Sequence, residues 1–167
     1  ASNSASLTFS SGIDSTYGEY IFRFYNINPA TDSTDFQFQA NATDSTSYDE
    51  TITSTAFAAQ HAEADDDAAL SYQGGMDQEQ GTAYQFLNYD LANDSDGSLA
   101  GELHLFNPSS TTYVKHFIAR THHMFEANYA SQFFVAGYIN TTTAIDDIQF
   151  KMNSGNFDGT IKLWGVL

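Results

Sequence analysis

The sequence contains no cysteine. This absence excludes disulfide bonds, catalysis by a thiolate and zinc sites built on cysteine. Proline is also scarce, with 2 residues, and together with 11 glycines this composition is unlike that of collagen or of a flexible linker. A chain of this kind that works outside a cell therefore needs a sizeable core or tight oligomerisation in place of disulfides.

Basic residues are the second scarcity. The chain has 5 Lys and Arg against 21 Asp and Glu, which gives a formal net charge of −16. Nucleic acids and anionic membranes attract basic surfaces, so neither is an expected partner. The default interpretation of such a charge is that it keeps the protein soluble, and the alternative is that it binds cations.

Long apolar runs and recognisable leader segments are absent as well. No stretch approaches the roughly 20 apolar residues that a membrane-spanning helix requires. No signal peptide is visible, and the chain begins at Ala1 rather than at Met. We therefore expect no membrane insertion, while processing and a longer parent chain both stay open.

What the sequence does have is aromatic residues in short alternating patterns. Aromatic residues make up 15% of the 167 residues, with 14 Phe and 10 Tyr, which favours strands over helices. Phe36, Phe38 and Ala40 alternate with two glutamines, as in a half-buried strand. Only residues 56–70 admit a single helical turn. The pattern predicts an all-β protein, an antiparallel β-sandwich of jelly-roll type with about ten strands.

We expect one domain over residues 17–167, preceded by an arm or edge strand at 1–16. One predicted strand, residues 20–27, differs from the rest because both of its faces are apolar. Tyr20, Phe22 and Phe24 share one face, and Ile21, Tyr25 and Ile27 share the other with a single arginine. Such a strand is predicted to be central and covered on both sides.

The C-terminal segment, residues 142–166, reads as two strands joined by a glycine-bearing hairpin. The linker 153–159 is rich in Asn, Asp and Gly, which tolerate positive φ. Apolar residues alternate on both sides of it. We predict as structural hairpin and core positions Ile148, Phe150, Phe157, Ile161, Leu163 and Trp164.

Two acidic segments are weak candidates for a calcium site. Asp94 and Asp96 open a calcium-loop-like pattern, but loop position twelve falls on Leu105, so an EF-hand is excluded. The default interpretation of this segment is an Asx-rich turn. Asp65, Asp66 and Asp67 are by default a solvated charge run, with a cation at a subunit interface as the alternative.

Other site chemistry is not signalled. His122 and His123 are adjacent, so in a strand they point to opposite faces and do not share a metal. No nucleophile elbow and no phosphate-binding glycine loop occurs. We expect no catalytic and no cofactor-binding residue. Tyrosines near predicted loops and strand ends could stack on sugars, although caps on a core or interface are the favoured interpretation: Tyr17, Tyr48, Tyr72, Tyr84, Tyr89, Tyr113 and Tyr129.

Three segments in order resemble a family of structural proteins of tailed bacteriophages, especially marine ones. They are the strand and Pro-Ala-Thr-Asp turn at 20–32, the strands around the Asn-Pro-Ser turn at 101–116, and the C-terminal segment with its Ser-Gly-Asn-Phe-Asp-Gly-Thr-Ile-Lys-Leu-Trp-Gly-Val run. Trp164 stands where relatives often have Tyr. The family provides no catalytic or binding residue to carry over.

The resemblance implies a non-enzymatic protein located in the virion. Its roles would be capsid decoration, an appendage or tail fibre, or adhesion to the host surface. Its partners would be further copies of the chain, other virion proteins and a host-surface glycan. A homotrimer is the favoured oligomer, because phage appendages are often trimers. A carbohydrate-binding module of a larger secreted protein is the alternative, and a glycan-degrading enzyme is a weaker third.

Overall fold

Alternating apolar and polar residues form strands throughout the chain, and no helix is present. The computed structural model describes all of residues 1–167. Its twelve strands are β1 (Ser6–Phe9), β2 (Glu19–Pro29), β3 (Phe36–Ala42), β4 (Ile52–Ala62), β5 (Ala68–Tyr72), β6 (Glu79–Gly81), β7 (Gln85–Phe86), β8 (Leu99–Phe106), β9 (Lys115–Phe125), β10 (Tyr129–Ile139), β11 (Ile145–Met152) and β12 (Phe157–Val166).

The strands form two antiparallel sheets that make a β-sandwich. The small sheet has the order β1-β11-β3-β7, and the large sheet has the order β12-β2-β8-β9-β10-β4-β5, with β6 paired to β4. The predicted all-β antiparallel sandwich is therefore confirmed. Its jelly-roll type of connectivity stays a prediction.

A single cluster of 29 buried apolar residues lies between the two sheets. Phe150 of the small sheet packs against Phe22, Phe24 and Phe36, with ring centroids 5.3, 5.4 and 5.7 Å away. Edge-to-face and offset contacts of this kind add to the free energy gained by burial. The core is thus built by the inward halves of strands from both sheets.

The segment 1–16 contributes the edge strand β1, which pairs with β11 through residues 6–9. The prediction that residues 56–70 could form a helical turn is wrong, because β4 continues to Ala62 and β5 begins at Ala68. Alanine fits the strand positions of β4 that face the core, since Ala56 and Ala58 are buried. No helix long and apolar enough to cross a membrane is present.

The C-terminal segment contains the predicted strands, but they do not form a hairpin. β11 pairs with β1 and β3 in the small sheet, whereas β12 pairs with β2 in the large sheet. Residues 153–156 therefore carry the chain from one sheet to the other. The two arrangements give the same apolar alternation, because in both of them the inward side chains of each strand face one core.

The predicted core positions of this segment are buried with one exception. Ile148, Phe150, Phe157 and Ile161 belong to the core, and Leu163 packs partly buried against it. Trp164 is 43% exposed, so its prediction as a core residue is wrong. Its neighbour Leu163 takes the inward position of β12, and adjacent strand residues point to opposite faces.

Candidate functional site

Strand β2, predicted to have two apolar faces, forms part of a broad exposed surface on the large sheet. The prediction that β2 is covered on both sides is wrong: Tyr20, Phe22 and Phe24 are buried, but Tyr25 on the other side is exposed. No second layer covers that side of the large sheet. We call it the outer face, and its central residues are Ile21, Arg23, Tyr25, Phe57, Glu102, His104, Ile118, Arg120, His122, Gln132, Phe134 and Trp164.

The outer face has no net formal charge along its four central strands, β2, β8, β9 and β10. Their outward positions carry two carboxylates, Glu19 and Glu102, and two guanidinium groups, Arg23 and Arg120. The whole net charge of −16 therefore comes from the rest of the chain. Both arginines of the protein lie on this face, in the middle of an otherwise acidic surface.

Large apolar side chains are exposed around these charges. Phe57 is 42% exposed and stacks on Phe134 with ring centroids 4.7 Å apart. Ile118 is 52% exposed, and Leu70 and Tyr72 on the flanking strand are more exposed still. Contiguous apolar patches of this kind mark interaction sites on a soluble protein.

Two rings at the other side of the face are held by cations. The guanidinium of Arg23 lies 5.7 Å from the centroid of the Trp164 ring, and Lys162 Nζ lies 5.3 Å from that of Tyr25. These cation–π contacts fix the rings on the sheet surface and cover one side of each. The two rings therefore form a rigid, amphipathic surface, and little side-chain entropy would be lost when a partner binds to it.

A charged network crosses the centre of the outer face. Glu102 Oε2 lies 3.7 Å from Arg23 Nε, and Glu102 Oε1 lies 3.6 Å from both Arg120 Nη2 and His104 Nε2. His104 Nδ1 contacts the carboxylate of Glu19 on its other side. Partly exposed pairs of this kind contribute little stability, so the network orders the face more than it supports the fold.

Shallow cavities follow the same face. One of about 300 Å³ is lined by Glu102, His104, Ile118, Arg120 and Phe134. Another of about 210 Å³ lies beside it, between Arg23, Tyr25 and Arg120. Neither is deep enough to enclose a drug-sized ligand, for which pockets bury most of the ligand surface. The geometry suits a broad contact rather than an enclosed reaction.

The acidic calcium candidates lie elsewhere and do not converge. Asp65 contacts His61 Nε2 at 3.2 Å, in the turn between β4 and β5. Asp94 and Asp96 lie in another turn, where the amide of Asn28 donates to the carbonyl oxygens of Asp94 and Gly97 at 3.2 and 2.7 Å. A donor thus occupies carbonyls that a cation would need. No group of three or more His, Asp or Glu side chains in the protein is arranged to hold a metal ion.

The histidines follow the predicted alternation. His122 is exposed on the outer face, and His123 is fully buried on the opposite side of the same strand. His123 Nε2 donates to the carbonyl of Tyr89 at 2.7 Å, and burial lowers the pKa of His123 to about 4. Its imidazole is therefore a neutral core group.

The seven tyrosines considered for sugar stacking do not form one surface. Tyr72 flanks the outer face, Tyr89 is buried and Tyr113 is exposed in the loop before β9. Tyr84 lies by the small sheet, where its hydroxyl contacts Gln149 and its ring contacts Lys151. The aromatic residues that do share the outer face are Phe57 and Phe134 on one side of it and Tyr25 and Trp164 on the other, and sequence reasoning did not place these four on one surface.

Three carboxyl groups have raised pKa values, and each of them lies away from the outer face. Burial raises the pKa of Asp35, which accepts hydrogen bonds from the backbone of Asp90 at 2.9 Å and the side chain of Asn153 at 2.6 Å. Burial also raises the pKa of Glu50, which accepts from the backbone of Ala42, and that of Asp146. The contacts of Asp35 join three loops to one another, and that of Glu50 ties a loop to the end of β3.

The apolar alternation of strand 20–27 was the one signal in the sequence that could have located the outer face. Pairing register then brought the outward residues of seven strands together, which no single segment could reveal. Comparison with protein-family models and with curated proteins finds no match to this chain. Function is therefore inferred from this geometry and from the resemblance of the three segments.

Proposed function

We propose that this protein is a non-enzymatic structural component of a tailed-bacteriophage particle, in which the outer face contacts protein. The observation that carries the proposal is a broad sheet face without net charge and rich in aromatic residues, in a chain of net charge −16. The ordered resemblance of segments 20–32, 101–116 and 142–166 supports its place in the virion.

The composition of the outer face is that of a protein interface. Aromatic residues and arginine are enriched in interface cores, and lysine and acidic residues are depleted there. The outward side of β10 has no charged residue at all, and that of β9 has only Arg120. A face that served only for solubility would instead share the acidic character of the remaining surface.

The arrangement of the carboxylates supports a role without catalysis. Hydrolysis of a glycan needs two carboxyl groups facing each other across a cleft. On the outer face, Glu102 is surrounded by two arginines and a histidine, and Glu19 contacts the same histidine. The carboxyl groups with raised pKa values lie elsewhere, and two of them accept hydrogen bonds from neighbouring loops and strands.

The experiment that tests the proposal is mass spectrometry of purified particles from the phage whose genome encodes the chain. We expect peptides of this protein in density-gradient-purified virions, in an amount comparable to that of other virion proteins. A chain found in the infected lysate but absent from the purified particles would overturn the proposal.

A carbohydrate-binding module is the second candidate, favoured by the exposed rings of Tyr25 and Trp164 next to polar side chains. Sugars bind by stacking on such rings and by hydrogen bonds to polar groups. A glycan array probed with the wild type and with the variant Trp164→Ala checks this candidate. A glycan signal that the variant loses would favour it over the assembly role.

A further inference from the structure

We propose that the outer face pairs with the outer face of a second copy of this chain, about a two-fold axis that runs along the strands between β8 and β9. The inference rests on the proposed function, because it names the protein partner of the same face. It is argued from the order of charges across the sheet, the exposed apolar residues and the available area.

One row of outward residues crosses the large sheet in register. From β12 to β10 it reads Lys162, Arg23, Glu102, Arg120 and Phe134. The single carboxylate lies between two guanidinium groups, so the row alternates in sign from Arg23 to Arg120 and then becomes aromatic at Phe134. An arrangement of this kind can be complementary to itself, as an isologous interface requires.

A two-fold axis between β8 and β9 exchanges the two sides of this row. It sets Glu102 opposite Arg120 of the partner subunit, once on each side of the axis. It also sets Arg23 opposite Phe134 of the partner subunit, a cation–π pairing. Two packed sheets are rotated relative to each other by about 30°, and this rotation displaces paired residues more the farther they lie from the axis. The Glu102–Arg120 pairs lie nearest the axis and are therefore displaced least.

Apolar side chains surround the charged row where the pairing would exclude water. Ile118 lies beside the axis, and Phe57 and Phe134 lie further out on β4 and β10. Phe57 and Ile118 are exposed in the single chain and Phe134 is partly exposed, and each would be buried by a second sheet packed about 10 Å away. Charged pairs inside an apolar ring give orientation, while the apolar contacts provide the affinity.

The size of the face matches what a stable dimer needs. Seven strands spaced by about 4.8 Å and eight residues of about 3.3 Å each give a face of about 800 Å² on each chain. A standard specific interface buries about that area per partner. The rest of the chain carries the whole net charge of −16, so the outer face is a broad surface on which two identical chains can meet without net repulsion.

The pairing has two subunits, whereas the resemblance to phage appendages suggested three. A trimer requires a heterologous contact, in which one patch meets a different patch on the neighbour. The charged row is complementary to itself, which favours the two-fold arrangement.

The experiment is sedimentation velocity of the wild type and of two charge-reversal variants, Glu102→Arg and Arg120→Glu, at protein concentrations from about 1 to about 200 µM, a range that brackets a micromolar dissociation constant. We expect the wild type to form a species of two 18.4 kDa chains. Each variant alone sets like charges against each other across the axis, and we expect its dimer dissociation constant to rise at least about 100-fold. The matched control is Glu63→Arg, an exposed charge reversal away from the face that should leave the dimer unchanged.

Mixing the two variants separates pairing between chains from effects within one chain. In the mixed dimer, the introduced arginine of one chain would face the introduced glutamate of the other on one side of the axis. On the other side, the retained Arg120 would face the retained Glu102. The mixture should therefore return to within about tenfold of the wild-type affinity, or about 1.4 kcal/mol.

A change confined to either folded chain cannot be repaired by mixing, so recovery identifies a contact between chains. Should a variant fail to fold, Ile118→Lys provides a second disruption at a half-exposed position of the same face. It adds a charge where the pairing would exclude water, and we expect it to weaken the dimer as strongly as the reversals do.

Four outcomes would overturn the inference: a wild-type monomer at the highest concentration, a trimer, a dimer unaffected by the reversals, or no recovery in the mixture. A monomer that binds a glycan through this face would assign the face to that other occupant. The virion proposal and the pairing can be overturned independently of each other. A dimer absent from purified particles overturns the virion role alone, and a monomer present in them overturns the pairing alone.

Discussion

Phe157 shows at the residue scale how the C-terminal segment is anchored. Its side chain is fully buried at the first position of β12, and its ring lies edge-on to Phe36 with centroids 5.7 Å apart. Since Phe36 belongs to the small sheet and Phe157 to the large one, this contact joins the two sheets where the chain crosses between them.

Replacing Phe157 by alanine removes this contact and leaves a cavity. We expect Phe157→Ala to lower the free energy of unfolding by about 3–5 kcal/mol. Urea denaturation followed by far-UV circular dichroism measures the change, since Trp164 is the only tryptophan of the chain and the control variant removes it. Trp164→Ala, at the exposed position of the same strand, is the control and should change the free energy by less than about 1 kcal/mol. A Phe157 effect as small as the control's would show that the segment is not anchored.

His123 makes stability depend on pH. Its pKa is about 4 in the folded protein, because burial disfavours the imidazolium and the exposed His122 adds a smaller repulsion, against an ordinary value of 6.5. Between these two values the unfolded chain binds a proton that the folded chain does not. Proton uptake by the unfolded chain at His123 therefore lowers the free energy of unfolding as pH falls from about 6.5 to about 4, by about 3 kcal/mol in total.

The measurement is the free energy of unfolding at several pH values from about 7.5 down to about 4, which span the two pKa values, for the wild type and for His123→Gln. We expect the variant to lose less stability than the wild type on acidification, since glutamine has no proton to bind. His122→Gln, at the neighbouring exposed position, should follow the wild type. Parallel curves for the wild type and His123→Gln would show that this histidine does not cause the loss.

At the element scale, two glycines allow the chain to leave β11 and enter β12. Gly155 has φ +74°, and Gly159 has φ +138° at the irregularity where β12 shifts register against β2. A side chain at Gly159 would lie 2.8 Å from the backbone oxygen of Asn26, whereas one at Gly155 would meet mainly the side chain of Thr31. The first obstacle is backbone and cannot move aside easily.

We therefore expect Gly159→Ala to destabilise the protein by about 2–3 kcal/mol and Gly155→Ala by about 1–2 kcal/mol, from the left-handed backbone plus the close contact. Chemical denaturation gives both values. Gly18→Ala is the control, because nothing lies within 4 Å of the added carbon, and it should be neutral or slightly stabilising. If Gly155→Ala proved the more harmful of the two, the close approach to Asn26 would not be the deciding factor.

The whole molecule carries 21 acidic and 5 basic residues, whereas the four central strands of the outer face carry no net charge. Repulsion among the acidic groups opposes compaction, and dissolved ions screen it over about 10 Å at about 0.1 M ionic strength. The aspartates proposed as calcium ligands do not converge, so the cation response should come from screening rather than from a specific site.

We expect the melting temperature to rise gradually between about 10 and about 500 mM NaCl, and CaCl₂ and MgCl₂ at matched ionic strength to have similar effects. Differential scanning calorimetry provides the measurement. A melting temperature that rises and saturates below about 1 mM CaCl₂, without a similar response to MgCl₂, would instead identify a calcium site. Asp94→Asn and Asp66→Asn would then show which turn contains it.

The sequence by itself determined the fold class and most of the core, because the side-chain period of a strand is two and inward residues must be apolar. Phe36, Phe38 and Phe150 followed from that rule alone. The opposite orientations of His122 and His123 followed from it as well.

Only the tertiary structure decided which strands pair and which faces remain uncovered. A hairpin and a crossing between sheets give the same alternation, so the positions of β11 and β12 depended on packing across the core. The outer face depended on register: Arg23, Glu102, Arg120 and Phe134 are far apart along the chain, and only the pairing of β2, β8, β9 and β10 brings them into one row.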